Sequence, residues 1–383
     1  MLKLSLMPVS QMNISGLRLG DEFSCSCGRI HKVSTKEIFL SDDLASLLEK
    51  VLEFTDIEGP ILLVTGRKTW KIGGALAERY FSEQGYQVMV KESLRADIST
   101  ISDVEKYASH CSLAVAVGGG TVIDTCKYAA HRAGIPFISI PTTISHDGIA
   151  SPVASIFVGS RRTSIVTSPP QIVLIATSII RASPRQLIAS GCADILAKTT
   201  ALRDWLLGHQ VKEEYLCRTT FGITASAVLD LMRFIDNRCE EISELALAAV
   251  KCGLAMTLVG SSRPCSGAEH LFSHYLDMIG EGVGLHGEQV GLGAILMAAK
   301  YEDSYGPPMQ WFELSSMDLK SYLSRAGAPT RLSEIKVPAE TAVRALLECK
   351  NLRPERYTIL HHSPLTRSAA LKLLKMTDML TEA

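Results

Sequence analysis

Leu113-Ala114-Val115-Ala116-Val117-Gly118-Gly119-Gly120-Thr121-Val122-Ile123-Asp124 is a β-branched run that passes through three glycines into a helical pattern. A strand, a glycine turn and a helix in that order form the repeating unit of a parallel sheet wrapped by helices. Glycines at such a turn let the backbone approach a ligand. The helix N-terminus behind them offers unpaired N–H groups and the positive end of a dipole, so a diphosphate is the natural guest. The competing reading is a tight turn with no ligand, because a triple glycine is not the G-x-G-x-x-G dinucleotide fingerprint.

The same alternation extends to both sides. Strands are expected over 61–65, 87–90, 113–117, 137–140 and 171–176, and apolar i, i+3, i+4 spacing predicts helices over 70–84 and 122–133. Residues 153–166 read as a hairpin whose basic tip is Gly159-Ser160-Arg161-Arg162. Beyond about Ser178 the strand signals stop, and helices are expected over 192–207, 213–236, 240–259, 268–279 and 284–301. The predicted fold is an α/β domain over 1–180 followed by an all-helical domain over 181–383.

Composition narrows the function classes. The 39 basic residues nearly cancel the 40 acidic ones, so no global field draws the chain to nucleic acid or a membrane surface, and any anion must be recognised locally. The most apolar stretch, 245–260, is broken by Lys251, Gly253 and Gly260, which predicts no membrane insertion. Residues 1–13 carry one lysine and no secretory pattern, and the ten cysteines are scattered as buried thiols are, so a cytoplasmic protein is expected. Cys25-Ser26-Cys27-Gly28-Arg29-Ile30-His31 packs two thiols and an imidazole into seven residues. A metal clip there needs a fourth partner, and Cys27-Gly28 suits a tight hairpin turn, so the structural reading is preferred.

Two further groups carry chemistry. Pro141-Thr142-Thr143-Ile144-Ser145-His146-Asp147-Gly148 crowds hydroxyls, an imidazole and a carboxylate at the end of a strand, where ligands of open α/β sheets bind. In the helical half, Asp194, His270 and His286 are one carboxylate and two imidazoles, a set suited to a borderline divalent metal with an open position. Their spacing alone proves no site. His270 and His274 are four apart and share a helix face.

These tracts together resemble the sn-glycerol-1-phosphate dehydrogenases, within the wider group of glycerol dehydrogenases, iron-dependent alcohol dehydrogenases and dehydroquinate synthases. The resemblance rests on GGGTVID at 118–124, IPFISIPTTISHDGIASPVASI at 135–156, GCADILAKTTALRDW at 191–205, SSRPCSGAEHLFSH at 261–274 and GLHGEQVGLG at 284–293. It implies a dehydroquinate synthase-like fold, with a dinucleotide-binding α/β domain and a helical metal- and substrate-binding domain. It implies that NAD(H) or NADP(H) contacts Gly118, Gly119, Gly120, Thr121, Val122, Ile123, Asp124, Thr142, Thr143, Ile144, Ser145 and Ser151. Asp194, His270 and His286 would hold one divalent metal, zinc first, with nickel or iron as alternatives. Asp147 and His274 would touch substrate and are the candidate catalytic groups, with Asp194 also near the substrate.

The implied reaction interconverts dihydroxyacetone phosphate and sn-glycerol 1-phosphate, a phospholipid backbone. A homo-oligomer is expected, with a polyol dehydrogenase as the alternative function. Arg263, beside the metal tract, is the candidate donor to the substrate phosphate; the alternative is that it caps a helix or pairs with Glu269. After the strand at 61–65 come Gly66-Arg67-Lys68-Thr69, with no carboxylate and two cations, which predicts that NADPH is accepted at least as well as NADH.

Overall fold

The computed structural model describes residues 7–8, 18–159, 161–280 and 284–380. Ser160 of the expected hairpin and residues 1–6 and 9–13 of the N-terminal stretch lie outside the described residues. The chain divides into two units, Met1–Pro184 with Ala249–Ser261, and Arg185–Ala248 with Ser262–Ala383. The expected split at 180 therefore misses a return of the chain to the first unit. The helix Ile242–Val259 belongs to both units across Ala248–Ala249, and it is mostly apolar, with a mean hydropathy of 1.7, its charges being Glu244 and Lys251. No polar stripe shows which core each half joins. Among the described residues it is also the one helix long and apolar enough to cross a membrane, and 67% of that stretch is buried inside the fold, as in the core helix of a folded domain.

The first unit contains the strands Met7–Pro8 (β1), Glu22–Ser24 (β2), Ile30–Lys32 (β3), Glu37–Ser41 (β4), Ile61–Thr65 (β5), Val88–Glu92 (β6), Leu113–Gly118 (β7), Phe137–Pro141 (β8), Val153–Val158 (β9), Arg161–Val166 (β10) and Ile172–Ala176 (β11). Seven of them form one sheet in the order β1-β4-β11-β8-β7-β5-β6, parallel except where β1 meets β4. β2 with β3 and β9 with β10 are separate antiparallel hairpins. Ile61, Leu63, Val115, Val117, Ile138, Ile140 and Leu174 make the sheet's contribution to the core. On it lies the helix Leu44–Phe54, whose buried Leu44, Leu47, Leu48 and Val51 follow helical spacing and whose first turn is capped by the Asp43 carboxylate. Each such side chain, fully buried, contributes about 1.5–3 kcal/mol.

Topology sets where a ligand can bind. β5 and β7 are neighbours, yet the chain leaves β5 for β6 on one side and β7 for β8 on the other. Crossovers of opposite sense open a crevice at the carboxyl ends of the two strands, and the loops that flank it begin at Gly66 and Gly119.

The helix expected over 70–84 is instead Arg67–Thr69, a π-helical turn Trp70–Gly74, and Ala75–Glu83. A Cβ on Gly73 would lie 2.9 Å from Leu44 Cδ2, and one on Gly74 3.0 Å from Thr65 Oγ1. The widened turn thus seats two glycines directly against the sheet and its covering helix.

Among the described residues the second unit has no strand. Its longer helices are Arg185–Leu196, Lys198–Lys212, Arg218–Asp236, Ala268–Ile279, His286–Tyr305, Ser316–Arg325, Ala339–Glu348 and Arg367–Met376. The single helix expected over 192–207 is two, separated at Ala197, whose carbonyl accepts the Thr200 hydroxyl at 2.9 Å.

Candidate active site

In the first unit, Gly119 caps the helix Gly120–Ala133 in extended backbone. A Cβ on Gly118 would lie 2.5 Å from Val122 Cβ, and one on Gly120 2.0 Å from His146 Nε2. Both glycines are thus required by the protein's own packing, while the first-turn N–H groups of Gly120, Thr121 and Val122 are left to an anion. Thr121 is exposed there. The side chains of Val122, Ile123 and Asp124 are buried. Only backbone can serve at 122 and 123, because those side chains complete the core.

The Asp124 carboxylate accepts Ser155 N–H at 3.1 Å and lies 3.4 Å from Lys127 Nζ. Lys127, which the sequence reading passed over, is fully buried and donates to Gly148 O at 2.9 Å and Val153 O at 2.8 Å. Burial pushes its pKa down, against the pull of Asp124. It ties the helix to the segment that carries Asp147 and Ser151.

That segment is organised by backbone contacts. Thr142 N donates to Gly118 O at 3.0 Å, and Thr142, Thr143 and Ile144 are buried. Ser145, His146 and Asp147 are half-buried, and Asp147 opens the 3-10 turn Asp147–Ile149. Ser151, also buried, donates to Val153 O at 3.1 Å. After β5, Arg67 Nε is 2.9 Å from Glu92 Oε1. The sequence reading found no carboxylate beside Arg67, but β6 supplies one, because Thr65 and Glu92 are register partners.

In the second unit, Asp194 lies on the helix Arg185–Leu196, His270 on Ala268–Ile279, and His286 opens His286–Tyr305. One ligand atom from each lies within 4.8 Å of the others. Hydrogen bonds behind the two rings fix their tautomers. His270 Nδ1 donates to Glu269 Oε1 at 2.8 Å, and Glu269 also accepts Gly267 N–H at 2.6 Å and the Thr200 hydroxyl at 2.9 Å. Ser273 donates to Gln289 Oε1 at 2.7 Å, so its oxygen accepts from His286 Nδ1 at 3.2 Å. With Nδ1 engaged behind each ring, both present Nε2 to the site, and His270 Nε2 is 3.3 Å from Asp194 Oδ1, where a proton or a metal ion must bridge them. One carboxylate and two such imidazoles fit a divalent metal. Burial alone would raise the Asp194 carboxyl, but Lys198, His270 and His286 hold it well below the usual carboxylate range.

Glycines bring the three helices together. A Cβ on Gly287 would lie 1.9 Å from Ser190 O, one on Gly291 3.0 Å from Ala193 Cβ, and one on Gly293 2.8 Å from Glu269 O. The helix that begins at His286 can thus touch the backbones that carry Asp194 and His270. His274 stacks on His286 with ring centroids 6.1 Å apart, and its ring is 6.4 Å from that of His270.

Arg263 has other partners than a substrate phosphate. It is 4% exposed, grips Glu214 through Nε at 2.8 Å and Nη2 at 2.9 Å, and donates to Asp204 O and Tyr357 O at 2.7 and 2.6 Å. Its carboxylate partner is Glu214 rather than Glu269, the pairing expected as the alternative to a phosphate contact. The sequence signals missed here were Glu269, Ser273 and Gln289, three polar residues at buried helical positions beside the ligands.

A sheet with a switch point at a glycine-capped helix, followed by helices that converge a carboxylate and two imidazoles, defines a metal-dependent dehydrogenase of the iron-containing alcohol dehydrogenase type. The family model described as iron-containing alcohol dehydrogenase matches residues 40–184. The chain is 39% identical over 356 residues to glycerol-1-phosphate dehydrogenase [NAD(P)+] of Pyrococcus furiosus, covering 90% of this chain and 98% of that one. It is 36% identical over 349 residues to the protein of that name from Methanothermobacter thermautotrophicus, covering 90% and 97%. The chain belongs to the glycerol-1-phosphate dehydrogenase family. Its fold is shared with a probable glycerol dehydrogenase from Sinorhizobium meliloti 1021, at TM-score 0.70 and 18% identity over 89% of this chain and 97% of that one. It is also shared with sulfoacetaldehyde reductase from Bifidobacterium kashiwanohense in complex with NAD+, at TM-score 0.67 and 19% identity over 90% and 97%.

Proposed function

We propose that this protein reduces dihydroxyacetone phosphate at C2 to sn-glycerol 1-phosphate, and runs the reverse oxidation, with NAD(H) or NADP(H) and one divalent metal. The observation that carries this reading is the convergence of Asp194, His270 and His286, with Glu269 and Ser273 engaging both Nδ1 atoms so that Nε2 of each ring is turned to the site. When bound, the metal supplies Lewis-acid stabilisation of charge growing on the C2 oxygen, and the nicotinamide supplies or accepts the hydride. Asp194, His270 and His286 hold the ion, and zinc suits a three-donor set of this kind, with nickel and iron as the alternatives. Glu269 and the Ser273–Gln289 pair keep the rings from turning. His274, on the helix face of His270, holds the proton exchanged with the substrate oxygen, and Asp147 binds a substrate hydroxyl. The N-terminal turn of the helix Gly120–Ala133 takes the cofactor diphosphate, with Thr142, Thr143, Ser145 and Ser151 shaping the loop around it. A cytosolic homo-oligomer completes the assignment.

The test follows the absorbance of reduced nicotinamide with dihydroxyacetone phosphate and, separately, dihydroxyacetone, before and after chelation and readdition of zinc, nickel or iron. Turnover with the phosphorylated ketone should vanish on chelation and return with the metal. Equal rates with the unphosphorylated ketone would favour a polyol dehydrogenase.

A further inference from the structure

The hairpin of β2 and β3 is the least secured part of the first unit. Two three-residue strands are marginal by themselves in water, and Ile30, an apolar residue on the hairpin, is 73% exposed rather than packed. The sequence between them folds as a knuckle. Cys25 N donates to Arg29 O and Gly28 N to Cys25 O, each at 3.0 Å, with Gly28 at φ +83°, a left-handed conformation that glycine adopts without strain. This turn gathers Cys25, Cys27 and His31, whose ligand atoms lie within 4.8 Å of one another.

The chemistry of the three points further than a turn. His31 is 3% exposed, and its Nδ1 donates to Leu258 O at 2.7 Å. Its proton is therefore on Nδ1, and the Nε2 lone pair faces Cys27 Sγ at 3.2 Å. An imidazole anchored through one nitrogen on a backbone carbonyl, with the other aimed at a thiol, is the arrangement by which proteins orient a metal-binding histidine. A tetrahedral zinc centre separates its sulfur and nitrogen ligands by roughly 3.5 Å, a few tenths of an ångström more than the distance observed.

We propose that Cys25, Cys27 and His31 form a second, structural site for a thiophilic divalent cation of the zinc class, distinct from the catalytic set. Two thiolates and one imidazole supply three ligands, and a further thiolate or a water completes the shell. On binding, both thiols lose their protons to solvent and two sulfur–metal bonds form, with no change of oxidation state. The ion pins the hairpin, through His31, to the carbonyl at Leu258 near the end of the helix Ile242–Val259.

The catalytic set has no sulfur, so a sulfur signal that depends on Cys25 and Cys27 reports the second site. Cobalt loading of the reduced full-length chain should give a thiolate-to-metal charge-transfer band that persists in His286→Ala and disappears in Cys25→Ser/Cys27→Ser. Zinc content should fall by about one ion per chain in the double serine variant, with turnover retained. X-ray absorption on zinc-loaded His286→Ala should show at least two sulfur neighbours, a readout that does not depend on the serine variant folding. A shell of nitrogen and oxygen only, or a charge-transfer band undiminished in the serine variant, overturns the proposal.

Discussion

Lys198 Nζ lies 2.9 Å from Asp194 Oδ1, one helical turn further along the chain, and both side chains are buried. The carboxylate that is to hold a divalent ion is thus already balanced by an ammonium. Replacing that ammonium with an apolar chain leaves a buried negative charge with only His270 and His286 beside it, so the metal has more to offset. In Lys198→Met the metal-free protein should melt earlier, and metal addition should raise its Tm by more than in the parent. Affinity should rise roughly tenfold or more, since two unit charges this close interact by up to several kcal/mol. A smaller metal-induced shift than in the parent would show that Lys198 helps to bind the ion rather than opposing it.

His270→Ala and His286→Ala should each abolish turnover and reduce bound metal while the fold persists. Glu269→Gln, which weakens the acceptor behind His270 and leaves all three ligands in place, should lower metal affinity about 10- to 100-fold. Competition against a chromophoric chelator measures both. Full metal occupancy with normal turnover in the two alanine variants would remove the site assignment.

Gly287→Ala places a methyl group 1.9 Å from Ser190 O, a backbone atom that cannot swing aside. The helices carrying Asp194 and His286 must then separate. Overpacking of this kind costs about 1–3 kcal/mol, and a ligand shift near 1 Å reduces turnover by about a hundredfold. Thermal melting and metal analysis check the two effects, and unchanged values in both would show that the contact relaxes without cost to the site.

The exposed Arg67–Glu92 pair stands at the carboxyl ends of β5 and β6, and we expect it to tune cofactor choice. Glu92→Gln releases Arg67 to meet a 2'-phosphate, so the ratio of kcat/KM for NADPH to that for NADH should rise several-fold, and Arg67→Glu should lower it. Both charges are exposed, so the effect should shrink as salt increases. Equal ratios in all three proteins at low ionic strength would place the pair outside the cofactor site.

Burial, with Glu269 close by, pushes the Asp204 carboxyl up to about 6. It accepts hydrogen bonds from Tyr301, Ile359 N and Ala268 N, each at 2.7 Å. An unfolded chain releases this proton near pH 3.9, so between about pH 4 and 6 the native state binds more protons. The contribution of Asp204 to stability is therefore most favourable at the acid end of that window and declines as pH rises through about 6. The difference in unfolding free energy between the parent and Asp204→Asn should carry this slope, and a pH-independent difference would contradict it.

The sequence by itself determined most of the local elements and singled out the candidate metal donors. The strand at Leu113–Gly118, the glycine cap and the helix behind it are legible because a parallel strand buried on both faces reads as a continuous apolar run, and one-sided burial imposes a period of 3.6 on a helix. Asp194, His270 and His286 were found through the tracts around them. What lies side by side across the fold was not legible. Glu92 reaches Arg67 through strand register, Glu214 takes Arg263 from 49 residues away, and Ala249–Ser261 rejoins the first unit. Tertiary structure alone decided which ring nitrogen each histidine turns to the site, because the acceptors behind the rings, Glu269 for His270 and Ser273 for His286, act through directional hydrogen bonds. Periodicity in sequence records which side of an element is buried, whereas the partner met there depends on how distant segments pack, and no local pattern carries that information.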